Sequence, residues 1–355
     1  MNKQHLQILV FCLLVAALLL SVSGVGAAPK DGPTVSLSTS QSEYLAAQDV
    51  LVTVTIANPT KHSVRILKWF TPADGMEEAV FDVSVDGAQV AYTGAIYKRP
   101  AATGKDYISL KAGDSISYTV NLGDYYDLST TGQYDIAYAV ASYTLFNEKG
   151  NGQSAPDSLA SEPINLKVEG RTGKGKITPT PTPPPTGSNT FDACTTSQKS
   201  DITAARSQAK TYAGASLTNL TNNPFSTTRY VTWFGVFDSS RYTTVKTHFT
   251  NESTAWNTYN VTYHCKCNQP YYAYVYPNKP YEIYLCKYFW LAPMSGTDSK
   301  GGTLIHEMSH FPAVAGTNDY VYGQSGAQNL AITNPAQAIM NADNHEYFAE
   351  NNPPK

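Results

Sequence analysis

The chain has 355 residues and 42% of them are apolar. That is enough for about two domains of ordinary size and excludes a wholly disordered polypeptide. Lys and Arg number 25 against 28 Asp and Glu, for a formal net charge of −3, so no basic surplus exists to neutralise phosphates and no nucleic-acid partner is expected. Residues 1–27 start with Lys3, run apolar from Ile8 to Leu20 and end in small residues, with Val25 and Ala27 placed three and one before a cut. This is the layout of a secretory signal. The apolar run is short for a bilayer span of about 20 residues, so a secreted, extracellular protein with no membrane partner is expected.

Residues 28–170 read as short strands separated by turns. Runs at 50–57, 64–70, 80–85, 116–122, 134–140 and 164–168 alternate or are β-branched, and Asp86–Gly87 between two runs is a hairpin signal. Seven or eight strands over this length predict an antiparallel all-β sandwich. It holds no cysteine and one histidine, His62, and no reaction chemistry is visible in it. Residues 171–189 are rich in Pro and Thr, which predicts an extended linker.

Residues 190–355 change period. Helices are predicted at 197–220, 239–256, 302–311, 324–330 and 335–349, with short strands at 273–276 and 283–285. The expectation is an α+β domain dominated by helices. Five cysteines occur in the chain, and Cys12 falls in the leader. The other four, Cys194, Cys265, Cys267 and Cys286, make two disulfides in an exported protein. Cys265 and Cys267 stand too close to pair with each other, so one reaches Cys194 and the other Cys286. A four-cysteine zinc site is the rival, but the spacing is not that of two C-x-x-C knuckles. Asn219, Asn251 and Asn260 open N-x-S/T sequons and are candidate glycosylation sites.

His306-Glu307-Met308-Ser309-His310 is an H-E-x-x-H. On a helix, the two histidines four residues apart share a face and can bind one metal ion. Glu307 beside them can take a proton from water held at that ion. A catalytic zinc needs a third protein ligand. Ala313 and Gly316 stand where one zincin pattern has Gly and a third His, and the first glutamate after the motif is Glu346. Asp319 and Asp343 are the nearby carboxylates that remain, and a chain reversing at Gly316 can return Asp319 to the metal.

The run from Gly316 to Gly323, G-T-N-D-Y-V-Y-G after the H-E-x-x-H, resembles the GTxDxxYG signature of the aspzincin metallopeptidases, the deuterolysin group. Trp233-Phe234-Gly235, the stretch from Ala273 to Pro277 and the stretch from Met340 to Tyr347 look like the fungal peptidyl-lysine metalloendopeptidases within it. The resemblance covers 190–355 and implies a zincin-like fold with one zinc ion per chain. It implies His306, His310 and Asp319 as ligands, Glu307 as general base and Tyr322 as donor to the oxyanion. It implies that Asp343 and Glu346 line a pocket for the residue after the cut bond, which suits a lysine ammonium; spacing alone would equally describe a solvated acidic patch on one helical face. The all-β module then stands where such enzymes carry a propeptide.

The expected activity is that of a secreted zinc metalloendopeptidase made as a proenzyme and cutting on the amino side of lysine. Its partners would be protein or peptide substrates and its own propeptide, and the chain would be a monomer. One alternative is a broad-specificity, deuterolysin-like protease. Another is a carbohydrate- or surface-binding protein whose second module is inactive.

Overall fold

The structure is a computed structural model and describes residues 32–147, 156–170 and 189–355. The leader at 1–27 and nearly all of the 171–189 linker lie outside the described residues.

Strand Leu51–Ala57 buries every second residue, Val52, Val54 and Ile56. That follows from the two-residue period of a strand with one face on a core. Its neighbours are Thr34–Ser38 and Ser115–Asn121, both antiparallel. Hydroxyl pairs Thr53–Thr119 and Thr55–Ser117 lie on the outer face, at 3.0 and 2.8 Å. A second sheet runs in the order Glu43–Tyr44, Ile164–Val168, Gly132–Ser142, Phe81–Val85, Ala88–Gln89. Tyr134, Ile136 and Tyr138 turn inward from its long central strand and join the first sheet's valines in one core. The Asp86–Gly87 turn has positive φ at both residues, the geometry that a two-residue hairpin prefers. The predicted strand at 64–70 is shorter, because Lys68–Phe70 winds into a 3-10 turn that buries Trp69 and Phe70.

The C-terminal part is helical around its own core. Thr196–Asn222 starts with a capping box in which Thr195 and Gln198 satisfy each other's backbone N–H groups. It packs against Ser239–Thr258, Lys300–Ser309 and Ala342–Glu350. The helix Thr228–Phe234 was not read from the sequence. The single helix expected over 335–349 is two, Pro335–Ala338 and Ala342–Glu350. Between them Asn341 leaves helical geometry and gives its side chain to another loop. Cys194 pairs with Cys265 and Cys267 with Cys286.

A five-stranded sheet lies beside these helices in the order Thr190–Asp192, Thr262–His264, Glu282–Leu285, Ala273–Val275, Ile96–Lys98. The last strand belongs to the N-terminal part of the chain. It runs antiparallel to Ala273–Val275, with Lys98 opposite Ala273 and Tyr97 opposite Tyr274. The N-terminal part therefore does not stop at its own two sheets, and residues 33–355 group as one unit by their contacts. Among the described residues no helix is long and apolar enough to cross a membrane.

Candidate metal centre

The helix Lys300–Ser309 begins at Ser299, whose Oγ accepts from Gly302 N–H at 2.9 Å. Glu350, at the end of the C-terminal helix, accepts from both the N–H and the hydroxyl of Ser299. A Cβ at Gly302 would fall 2.0 Å from Glu350 Oε1, so only glycine lets these helices meet here. The helix stops at Ser309, earlier than its predicted end, and Gly316 closes the following turn with φ +62. This reversal brings Thr317 back onto the helix end. Its N–H donates to Ser309 O at 3.1 Å, and its carbonyl lies 2.9 Å from His310 Nδ1. Asn341 Oδ1 accepts from Tyr320 and Val321 N–H, tying this loop to the start of the C-terminal helix.

The result is one buried cluster. His306 Nε2 lies 3.2 Å from Asp319 Oδ1, and His310 Nε2 lies 3.5 Å from Asp319 Oδ2. All three side chains are out of water, and His306 Nε2, His310 Nε2 and Asp319 Oδ1 have no hydrogen-bond partner. Buried polar atoms without partners are costly. Two donors on one tetrahedral zinc stand about 3.3 Å apart, given metal–donor lengths of about 2.0 Å, so the spacing fits a shared ion. His310 Nδ1–H is taken by the Thr317 carbonyl, and His306 Nδ1 lies 2.8 Å from Asp343 Oδ1. Each contact leaves the Nε2 lone pair free to face the ion, the usual outer support of a metal-binding histidine. Asp343 and Glu346 with His306 form a second group with ligand atoms close together.

Electrostatics agree with a cation-seeking site. Burial opposes charge on His306, but Asp319, Asp343 and Glu346 outweigh it and push the imidazole well above its ordinary value. Burial also works against the Asp319 carboxylate, yet the two imidazoles hold it well below the usual range. Glu307 is fully buried with neither oxygen partnered, and burial pushes it up to about 8 despite His306.

The Tyr322 hydroxyl faces three acceptors: Tyr97 O at 2.8 Å, Glu78 Oε1 at 3.0 Å and Asp319 Oδ2 at 3.2 Å. Two of these come from the N-terminal part. Asp343 and Glu346 are buried and not a solvated patch. Both face the Lys98 ammonium, which lies 2.5 Å from Glu346 Oε2 and 3.4 Å from Asp343 Oδ1 and from Asp298 Oδ1. Burial opposes the charge on Lys98, but the three carboxylates outweigh it and push its pKa well above the ordinary lysine value.

The structure thus brings His306, Glu307, His310, Asp319 and Tyr322 together, with Asp343 and Glu346 alongside. Asn219 and Asn251 lie on the helices Thr196–Asn222 and Ser239–Thr258, and Asn260 follows the second of them. The Asn251 side-chain nitrogen already donates to Val314 O at 2.9 Å. Glu78, Lys98, Arg99 and Asp298 were missed in the sequence. The N-terminal module, in which no reaction chemistry is visible from the sequence, nevertheless sends Lys98 and Glu78 to this cluster. No motif marks either residue; only the fold brings Lys98 to the helix bearing Asp343 and Glu346 and Glu78 to the Tyr322 hydroxyl.

Comparison with known proteins gives the family. The sequence model of the aspzincin family, described as lysine-specific metallo-endopeptidase, matches residues 219–350. An extracellular protease of Aeromonas hydrophila is 42% identical over 315 residues, 87% of this chain and 90% of that one. A peptidyl-Lys metalloendopeptidase of Armillaria mellea is 37% identical over 356 residues, covering 95% and 96% of the two chains. A solved zinc peptidase from Grifola frondosa is 47% identical over 45% of this chain and 99% of its own, with a TM-score of 0.43. The chain belongs to the aspzincin metallopeptidase family. It is a zinc-dependent metalloendopeptidase, with a strand-rich N-terminal region and a helical C-terminal part.

Proposed function

We propose that the chain is a secreted proenzyme whose active form hydrolyses peptide bonds on the amino side of lysine. Residues 1–27 act as the export signal, 28–170 as the propeptide, 171–189 as the linker and 190–355 as the peptidase. The extracellular relative, which aligns with most of this chain, supports export.

His306, His310 and Asp319 hold one zinc ion per chain, a reading supported by their three unpartnered donor atoms. When bound, the ion supplies Lewis acidity that polarises a substrate carbonyl and makes water easier to deprotonate. Glu307 takes the proton from the attacking water and returns it to the leaving amine. Burial pushes this carboxyl above its ordinary value, which makes its ionised form a stronger base than an exposed carboxylate, and a cation beside it would oppose that rise and hold it ionised near neutral pH. Tyr322 donates its hydroxyl to the oxygen that gains charge. Asp343 holds the His306 ring and, with Glu346, receives the lysine ammonium.

The observation that carries the lysine reading is a lysine ammonium 2.5 Å from Glu346 in a pocket closed to water. An apolar side chain there would leave the buried Glu346 carboxylate without its cation, a cost of several kcal/mol. Digesting a denatured protein with the zinc-loaded enzyme and sequencing the new N-termini tests it. Lysine is expected at nearly every new N-terminus; a mixed set of residues rejects the pocket assignment.

A further inference from the structure

The helix Ala342–Glu350 turns a polar stripe inward. Asp343, Glu346, Tyr347 and Glu350 stand at i, i+3, i+4 and i+7, so they share one face, and all four are buried. The far end of this stripe holds a turn from elsewhere in the chain. Glu350 accepts from the N–H of Asp298 at 3.2 Å and of Ser299 at 2.8 Å. The turn has positive φ at Gly296, 105°, and at Asp298, 51°. Left-handed backbone is uncommon for a residue with a side chain, and Asp is among the few that tolerate it. Tyr347, one turn back on the helix, donates its hydroxyl to Asp298 Oδ1 at 2.7 Å. Two residues of the pocket helix thus fix the backbone and the side chain of Asp298.

That same Oδ1 faces a lysine head. The Lys98 ammonium, which marks where such a head sits, lies 3.4 Å from Asp298 Oδ1, 3.4 Å from Asp343 Oδ1 and 2.5 Å from Glu346 Oε2. An ammonium has three N–H donors, one for each carboxylate. Asp343 has other claims on its charge: Oδ1 is 2.8 Å from His306 Nδ1, and Oδ2 accepts from Gly323 N–H at 2.6 Å. Asp298 is the most open of the three, with 37% of its side chain exposed against 1% and 0%, so it stands at the mouth of the pocket. A freely moving surface carboxylate adds little to an ion pair, because ordering it costs entropy. Tyr347 and Glu350 hold Asp298 in place before any ammonium arrives.

We propose that Asp298 is a specificity-determining residue, the third carboxylate of the lysine pocket, which grips the substrate ammonium from the mouth, and that Tyr347 is the positioning residue that aims it. This rests on the lysine-directed reading above. The grip lies away from the bond that breaks, so it holds the bound substrate and the transition state alike. Its loss therefore shows in KM and leaves kcat nearly unchanged.

For the test, the full chain is expressed and secreted, and the zinc-loaded enzyme that results is assayed on a peptide with a single lysine. Asp298→Asn keeps the shape, the left-handed turn and an acceptor for Tyr347, and removes the charge. It is expected to raise KM about tenfold, the scale of one hydrogen bond to a charged group with water nearby, with kcat within about twofold of the parent. Tyr347→Phe leaves all three carboxylates in place and is expected to raise KM about threefold. This second variant decides the matter if circular dichroism finds the first unfolded. The double variant should match Asp298→Asn, because Tyr347 acts through Asp298; a KM equal to the product of the two single effects overturns that link. A KM within about twofold of the parent in every folded variant overturns the proposal, as does a loss confined to kcat. Zinc competition with a chelating dye should return the parent's affinity, and a KM that rises only as zinc is lost overturns the proposal too. Mapping the parent's cleavage sites separates the two readings. Lysine at the new N-termini with KM unchanged in the variants rejects the role of Asp298 alone, whereas other residues there reject the lysine reading itself.

Discussion

The hydroxyl of Tyr322 donates to the carbonyl oxygen of Tyr97 at 2.8 Å. The same hydroxyl is 3.2 Å from Asp319, so it sits between a proposed zinc ligand and a peptide carbonyl that precedes a lysine. A donor in that position acts on charge that develops in the transition state more than on the bound substrate. Tyr322→Phe is therefore expected to lower kcat by about 10²–10³-fold with KM nearly unchanged. Steady-state kinetics on a lysine-containing peptide measures this, and a change confined to KM would assign Tyr322 to substrate binding alone.

Glu307 lies beside His306, and neither carboxyl oxygen has a partner. Replacing it with glutamine keeps the shape and removes the base. Turnover should fall by at least about 10²–10⁴-fold, while metal analysis still finds one zinc per chain. Full turnover in Glu307→Gln would end the assignment. Removing zinc with a chelator should abolish activity in the parent and restore it when zinc is returned.

Asp343 and Glu346 face the same ammonium, but their relation to His306 differs. Asp343 lies 2.8 Å from His306 Nδ1 and Glu346 lies 3.4 Å from it. Asp343→Asn is expected to weaken zinc binding by about 10–100-fold, as loss of an outer carboxylate does, and to reduce lysine selectivity as well. Glu346→Gln should reduce selectivity with much less effect on the metal. Zinc competition with a chelating dye and cleavage-site mapping separate the two. Equal loss of zinc affinity in both variants would contradict the geometry.

His248 and His345 meet ring to ring at 3.0 Å in the core behind the site. Burial lowers His248 to about 4 and His345 to about 3. The unfolded chain takes up protons near pH 6.5 that the folded chain refuses, so unfolding is favoured as pH falls from about 6.5 toward 4. Above pH 6.5 both states hold these rings neutral and the pair adds no pH dependence. Each ring contributes a slope of at most about 1.4 kcal/mol per pH unit. The Tm should drop between pH 6.5 and 4.5, and His248→Phe should drop less steeply. An identical slope in the variant would remove the pair as the cause.

Much of the local structure was legible because it depends on near neighbours. The alternation in Leu51–Ala57 and the Asp86–Gly87 turn are both short-range patterns. The helix break at Asn341 was not legible. Its side chain leaves for the loop at Tyr320 and Val321, and that attraction comes from distant chain. The shared helical face of Asp343 and Glu346 could be read, but their burial could not. Whether such a pair is a wet surface or a dry pocket depends on what the rest of the chain lays over it.

By itself the amino-acid order pointed to the proposed metal chemistry, because H-E-x-x-H on one helix is a spacing a few residues long and the resemblance of Gly316–Gly323 to the aspzincin signature singled out Asp319. Only the tertiary structure decided what occupies the cleft. Lys98 and Glu346 are far apart in the chain and have no signature in common. They meet because an edge strand with open backbone groups accepts another strand, and because buried carboxylates need a cation beside them.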